Sequence, residues 1–515
     1  MHTKIISATT IGVDAHIVEV EVDLSFGMLQ FHIVGLPDAA IKESKQRVQT
    51  ALKNSGIRLP ERKITVNLAP ADLKKEGTLF DLPIALGILH AAGLVDLAHD
   101  FLQETVILGE LSLDGTIKSV KGILPIACDL KKMGKKRLII SSGNAAEAAL
   151  INSIDVLAVD HINDLVAYIR KEKTINPTRI ELKDTSFKQF SDSLNFNQVK
   201  GQKQAKRALQ IAAAGRHNIL FIGSPGSGKT MLAKRLPTIM PLLTFEEIVE
   251  TTKIYSVTGK LSGQSLITER PLRSPHHSVS QAGLIGGGTC PQPGEISLAH
   301  NGILFLDELT EFKRDVLESL RQPLEHHSVS ISRAQHAFTF PAAFLLVAAL
   351  NPCPCGFLGD KKRQCTCTPQ QIAKYLDKLS GPLLDRIDLQ ITVPAVEYET
   401  IALPQSLGHE SSEKLYEAVE RAVLAQRKRF KNDSMTNATM SPDLVDLFCP
   451  LTPDAAEVIK KIFERLSLSM RGYHKLLKVA RTIADLEGSA EIKVTHIQEA
   501  TMYRSLDQSF ERQKK

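Results

Sequence analysis

Two patterns of apolar and polar positions divide this chain. Up to about Arg170, short alternating runs interleave with helical ones. Ile17–Val22 and Leu29–Val34 alternate with period two, as half-buried strands do, while Ile41–Asn54 and Leu82–Ala92 carry apolar residues at helical spacing. Residues 171–193 are polar, include Pro177 and show no period, which predicts a linker. Beyond it the strands change character. Ile219–Ile222, Ile303–Leu306 and Phe344–Leu350 are apolar at successive positions, as strands buried on both faces of a parallel sheet must be. An irregular connector, Pro394–Ser412, leads into a purely helical pattern: Glu413–Arg429, Thr452–Leu466, Tyr473–Leu486 and a last helix opened by the capping box Thr495-x-x-Gln498. The predicted order is a mixed strand-and-helix domain over 1–170, a linker over 171–193, an α/β domain over 194–395 and a helical domain over 413–508. A chain of 515 residues is long enough for about three such cores.

The turn after Ile219–Ile222 is Gly223-Ser224-Pro225-Gly226-Ser227-Gly228-Lys229-Thr230, followed by the helix-compatible Met231–Arg235. This is a phosphate-binding loop in the strand–loop–helix context that it requires. Its glycines let successive N–H groups turn toward phosphates, and the helix N-terminus adds positive potential. Lys229 is placed to reach the β- and γ-phosphates of a nucleoside triphosphate, and the Thr230 hydroxyl to hold Mg²⁺. Downstream, Ile303–Leu306 delivers Asp307 and Glu308 to the C-terminal edge of a parallel sheet, where ligands bind. Asp307 suits the Mg²⁺ shell and Glu308 the attacking water. Phe344–Leu350 delivers Asn351 to the same edge, either to position that water or simply to start a turn before Pro352. Arg386, in Gly381–Leu389, has the chemistry to stabilise charge on a transferring phosphoryl group, although alone it reads as a salt-bridge residue.

Four further stretches give the motifs a family likeness: Gly294–Gly302 before the acidic pair, Leu320-Arg321-Gln322-Pro323-Leu324-Glu325, Asn351-Pro352-Cys353-Pro354-Cys355-Gly356 and Ser469-Met470-Arg471-Gly472-Tyr473-His474. Nearly the whole chain resembles the AAA+ ATPases of the magnesium-chelatase-like branch, and within them the ComM/YifB family. The resemblance implies an AAA+ P-loop core with a C-terminal helical lid, preceded by an α+β Lon-protease-like (ribosomal S5 domain 2-like) domain. It implies Asn351 as sensor 1, Arg386 as a finger acting on a neighbouring subunit's nucleotide, and Arg471 as sensor 2 on the lid. It also implies a ring, usually hexameric, with nucleotide between subunits. In the Lon-like part the nucleophile position of Lys75–Asp81 holds Leu79, and the lysine expected after Gly122 falls on Leu124. A dyad lacking both members is inactive, with Thr78, Lys118 and Lys121 as the only out-of-register substitutes.

Cys353-x-Cys355 and Cys365-x-Cys367 place four thiols within fifteen positions, a pattern for a structural Zn²⁺ with no open coordination site, or else for reduced loop cysteines. The other three, Cys128, Cys290 and Cys449, are scattered. Two stretches between the loop and Asn351 offer substrate contacts. One holds Arg270, Arg273 and the flexible Gly286-Gly287-Gly288. The other is a hairpin-like alternation of Val329–Ala334, which includes Arg333, and Phe338–Phe340. Each arginine is a phosphate contact, solvated loop charge or a contact between subunits. The net charge of +6 permits a polyanionic partner without demanding one. No apolar run approaches the roughly 18 residues of a membrane helix, and Asp14 and Glu19 fall where a secretory segment is apolar, so a cytoplasmic protein is expected. The resemblance implies a hexameric DNA motor with helicase and branch-migration activity, working with recombination proteins during natural transformation. A magnesium-chelatase motor subunit and an ATP-gated protein-remodelling factor are the alternatives.

Overall fold

The structure is a computed structural model that describes residues 2–28, 30–179, 194–261, 266–288, 291–332, 337–360, 363–395 and 410–504. The chain forms two compact units: Met1–Ser186 together with Ile248–Ile267, and Phe187–Glu247 together with Thr268–Lys515. Chain order alone groups Ile248–Ile267 with the α/β domain. In the fold it belongs to the first unit, where the Ser256 hydroxyl donates to Glu147, the Ser256 carbonyl accepts from Gly122, and Gly259 lies against the Lys121 stem.

In the first unit a four-stranded sheet runs in the order His2–Ile11, Asp14–Ser25, Lys63–Ala69, Phe31–Val34, with only the last pair parallel. Asp14–Ser25 alternates buried and open positions, as its sequence predicts. The helices Ala39–Asn54 and Asp81–Ala91 build a core on one face of this sheet with Val18, Val20 and Val22. Asp38 caps the first of them by accepting from the Ile41 N–H at 2.8 Å. A second, parallel sheet joins Thr105–Ile107, Arg137–Ile140 and Asp155–Ala158.

The second unit is built on five parallel strands in the order Leu272–Arg273, Ile303–Leu306, Leu345–Leu350, Ile219–Ile222, Leu389–Thr392. The unbroken apolar runs have a simple cause. Ile219, Phe221, Ile303, Phe305, Leu345 and Val347 enter a core shared with the helices Lys203–Gly215, Lys229–Ile239 and those of the C-terminal region. Leu220, Ile222, Leu304, Leu306, Leu346 and Ala348 enter a separate core on the opposite face, with Phe312, Val316 and Leu383. Successive side chains point to opposite faces, so both registers must be apolar. The parallel order brings the ends of three strands, at Gly223, Asp307 and Asn351, to one edge.

The C-terminal region contains Ser412–Phe430, Pro442–Phe448, Pro453–Arg465, Met470–Leu486 and Val494–Met502; the second was not foreseen. The expected box at Thr495 and Gln498 is not the cap of the last helix. Its N-cap is Lys493, whose N–H donates to His496 Nδ1 at 3.0 Å, so the His496 ring does the work expected of Gln498. The predicted hairpin forms as Ser328–Ser332 paired with Ala337–Pro341, and Arg333 lies outside the described residues. Gly286 and Gly287, expected to be flexible, pair with Pro293 and Gln292 in a short antiparallel ladder. No helix among the described residues is long and apolar enough to cross a membrane.

Candidate nucleotide site

The loop from Gly223 to Thr230 leaves the buried strand Ile219–Ile222 and enters the helix Lys229–Ile239. Gly226 and Gly228 take φ of +78° and +92°, which a side chain resists, and a Cβ on either would meet nothing within 4 Å. The backbone thus curls around open space. Gly223 is needed for a different reason: a Cβ there would stand 2.3 Å from the Val393 carbonyl.

The Lys229 ammonium sits inside this curl, donating to the carbonyls of Gly223 (2.6 Å) and Ser224 (3.0 Å) and to Asn351 Oδ1 (3.2 Å). Its side chain is buried, and burial pulls its pKa below the usual lysine range. Thr230 Oγ1 donates to Asp307 Oδ2 at 2.6 Å. Asp307 Oδ1 accepts the Glu308 N–H at 3.0 Å. Glu308 itself has φ of +52°, a left-handed conformation that costs a non-glycine residue about 1–2 kcal/mol, and its carboxylate is exposed.

These contacts fit a Mg²⁺–nucleotide complex. A cation rests on carbonyls and an amide with the charges of Asp307 and Glu308 nearby, a hydroxyl and a carboxylate converge at the edge, and the buried Ser227 Oγ has no partner. One neighbour was not anticipated as a site residue: His277 places Nδ1 3.8 Å from Glu308 Oε2. The only sequence signal for it is the pair His276-His277, whose rings lie 4.0 Å apart.

Arg386 and Arg471 are not brought to the loop of their own chain. Arg386 Nη2 lies 2.6 Å from Glu325 Oε1, and Arg471 Nη2 lies 2.9 Å from the same oxygen. The two guanidiniums, Arg386 first, hold the Glu325 carboxyl below the usual range. The Arg386 carbonyl accepts from Asn218 Nδ2 at 2.9 Å, and Asn218 precedes Ile219–Ile222 while Gly223 follows it. The arginine pair therefore lies at the N-terminal end of a strand about 13 Å long, and the phosphate loop lies at its C-terminal end. Arg471 and Lys475 start the helix Met470–Leu486, and Lys475 Nζ contacts Asp388 Oδ1 at 3.2 Å, fixing the arginine edge of the helical region. A groove of about 680 Å³ opens there, with Arg216, Lys475 and Lys478 added to the pair.

Two arginines offered as phosphate contacts turn out to be structural. Arg270 is buried, donates to the Asn301 carbonyl at 2.6 Å and pairs with Glu247 at 3.0 Å. Arg273 forms a two-pronged pair with Glu295 at 2.6 and 2.9 Å. Both side chains close gaps between segments far apart in sequence, which no local pattern announces.

The four cysteines do converge. The Sγ atoms of Cys353, Cys355, Cys365 and Cys367 all lie within 4.8 Å of one another, with Cys353 3.3 Å from Cys355 and both 3.6 Å from Cys365. Four sulfurs at 2.3 Å from a tetrahedral Zn²⁺ stand about 3.8 Å apart, whereas a disulfide requires about 2.05 Å. The donor set fits a tetrathiolate metal. Cys128 and Cys449 are free, and Cys290 lies outside the described residues.

In the first unit no dyad is assembled among the described residues. Thr78 Oγ1 donates to Glu110, the Lys121 stem lies on Gly259, and no hydrogen bond joins Thr78 to Lys118 or Lys121. Leu124 is buried, and its N–H donates to Glu147 at 2.9 Å.

Comparisons with known proteins match this arrangement. The family described as magnesium chelatase, subunit ChlI, matches residues 195–401, and its C-terminal counterpart matches residues 409–504. Subunit ChlI of Mg-chelatase matches residues 20–144. Competence protein ComM of Haemophilus influenzae is 43% identical over 504 residues, covering 97% of each chain. The chain belongs to the ComM/YifB family. YifB of Escherichia coli is 41% identical over 98% of this chain and 97% of its own. Lon protease 2 of Bacillus subtilis is 27% identical over 157 residues, so the Lon likeness is partial. Membership makes this a magnesium-chelatase-like AAA+ ATPase, a class that uses ATP and Mg²⁺.

Proposed function

We propose that this chain is the repeating subunit of a cytoplasmic ring, hexameric by family resemblance, that hydrolyses ATP to move on and remodel branched DNA during natural transformation. What carries the motor part is the division of the site between two sheet edges. Lys229, Thr230, Asp307, Glu308 and Asn351 meet at one, while Arg386 and Arg471 are held together at the other. An arginine pair turned away from its own phosphate loop suits a nucleotide held by an adjacent copy.

In this reading bound Mg²⁺–ATP supplies an activated phosphoanhydride. Gly223, Pro225, Gly226, Ser227 and Gly228 shape the cradle, Lys229 neutralises phosphate charge, and Thr230 and Asp307 hold the Mg²⁺ hydration shell. Glu308, displayed on its left-handed backbone, orients and polarises the attacking water, with Asn351 alongside. A neighbouring copy's Arg386 and Arg471 stabilise the transferring charge. The four cysteines hold a structural Zn²⁺. The first unit acts as a binding or assembly module without protease activity.

The DNA assignment is supported by the full-length likeness to a protein named for competence and by the modest positive charge. The matched family descriptions favour a second reading, a chelatase-type motor subunit. Steady-state ATP hydrolysis without DNA, with single-stranded DNA and with a four-way junction decides between them, with Lys229→Ala as the blank. Strong stimulation by DNA is expected. Robust turnover indifferent to DNA overturns the DNA reading in favour of a chelatase or protein-remodelling role.

A further inference from the structure

We infer that the four-cysteine knuckle is a metal-held brace for the nucleotide site. Zn²⁺ bound by the thiols fixes the segment from Asn351 to Tyr375, so that Gly356 supports the phosphate loop and Tyr375 supports Asn351. The inference rests on the reading that the cluster holds zinc.

The contacts run in both directions from the thiols. Two residues before Cys353, the side chain of Asn351 accepts from Lys229. One residue after Cys355, Gly356 turns with φ of +84°, its N–H donating to the Cys353 carbonyl at 2.9 Å. A Cβ at Gly356 would stand 2.7 Å from Cδ and 2.9 Å from Cγ of Pro225. The knuckle backbone therefore rests directly on the ring of a phosphate-loop residue. Pro225 follows Ser224, whose carbonyl holds the Lys229 ammonium.

On the other side, Cys367 leads into Thr368, which caps the helix Pro369–Leu376 with a complete capping box. That helix carries the buried Tyr375, whose hydroxyl is pushed up by burial and held back first by a hydrogen bond with the Thr310 side chain and then by one with the Asn351 backbone. The cysteine loop thus leaves Asn351, touches the phosphate loop at Pro225 and runs on into the helix that carries Tyr375.

Apart from the thiols this loop is held by local contacts, the Arg363 N–H on Asp360 at 3.1 Å and the Arg363 guanidinium over the Phe357 ring. Among the described residues between Cys353 and Cys367 only Cys353 and Gly356 are buried, and none contributes to either core of the unit. The Cys355 and Cys367 N–H groups donate to the sulfurs of Cys367 and Cys365 at 3.3 and 3.4 Å, as N–H groups around a thiolate metal site do. Ordering so many residues without a core is entropically costly, and metal binding offsets such costs in small metal-held folds.

The test uses the full chain. Zinc per chain is measured by elemental analysis, and the dissociation constant of a fluorescent ATP analogue is measured before and after the metal is released with a mercurial reagent and chelator. The Cys365→Ser/Cys367→Ser double variant and Gly356→Ala are examined alongside, each with its far-ultraviolet circular dichroism. The expected result is one zinc per chain. Its loss, by either route, weakens nucleotide binding about tenfold and re-addition of zinc restores the chemically stripped protein. Gly356→Ala weakens binding by a similar factor while retaining its zinc, which keeps the test decisive where the double variant fails to fold. Zinc that leaves without changing nucleotide affinity, together with an unaffected Gly356→Ala, overturns the brace and leaves the metal site standing. Protein that purifies without metal and tolerates the serine variants overturns the metal site itself.

Discussion

Lys229 and Glu308 occupy the same edge but are held for opposite purposes. The lysine is buried among acceptors, while the glutamate is exposed on a strained backbone. Lys229→Ala removes the only cation inside the loop curl among the described residues, and equilibrium binding of a fluorescent ATP analogue is expected to be lost with it. Glu308→Gln keeps every phosphate contact and loses only the carboxylate. It should bind nucleotide as the parent does but hydrolyse it at least about a hundredfold more slowly, by steady-state phosphate release; turnover at the parent rate refutes its role. The phosphate loop and acidic pair were legible because each lies in a contiguous motif whose backbone chemistry is local. His277 was not, because its approach to Glu308 depends on how two loops meet. The pairing of Arg270 and Arg273 was not legible either, because each meets a carboxylate more than twenty residues away.

At the scale of single elements, the helix Phe245–Thr258 shows how a terminus can be held from outside. Thr244 and Glu247 exchange bonds between side chain and backbone at 3.2 and 3.1 Å, and Glu247 also meets Arg270 and Arg216. Burial pushes the Glu247 carboxyl up, but the two guanidiniums more than reverse this and hold it at about 2. Burial and the second cation lower Arg270 to about 10, so it stays charged at neutral pH. Because the folded-state value of Glu247 lies below its unfolded value near 4.5, its contribution is complete above about pH 4.5 and is lost as pH falls toward 2. Glu247→Gln should cost about 3 kcal/mol at neutral pH and flatten the acid limb of a denaturation series over that window. An acid limb identical to that of the parent refutes the assignment. Strand identity was readable at this scale, since unbroken apolar runs and alternating runs separate buried from half-buried sheets. The last helix start was not, because His496 replaced an expected glutamine.

For the whole molecule, the separation of Lys229 from Arg386 makes a prediction about assembly. Arg386→Ala should still bind nucleotide while losing about a hundredfold or more in turnover. Mixed with Lys229→Ala, it should recover part of the lost activity if, as proposed, copies share a site, because a mixed assembly then sets intact phosphate loops against intact arginines. Steady-state hydrolysis across mixing ratios measures this, and a flat response throughout refutes a shared site. The sequence alone determined the phosphate loop, the acidic pair, the strand faces and the family, because these depend on short-range periodicity and on contiguous motifs. Only the tertiary structure decided that Arg386 and Arg471 share Glu325, that Arg270 is buried, that Ile248–Ile267 belongs to the first unit and that Gly356 rests on Pro225. Each of these joins residues distant in sequence, and such pairings are fixed by how the sheets and helices close on one another rather than by any local pattern.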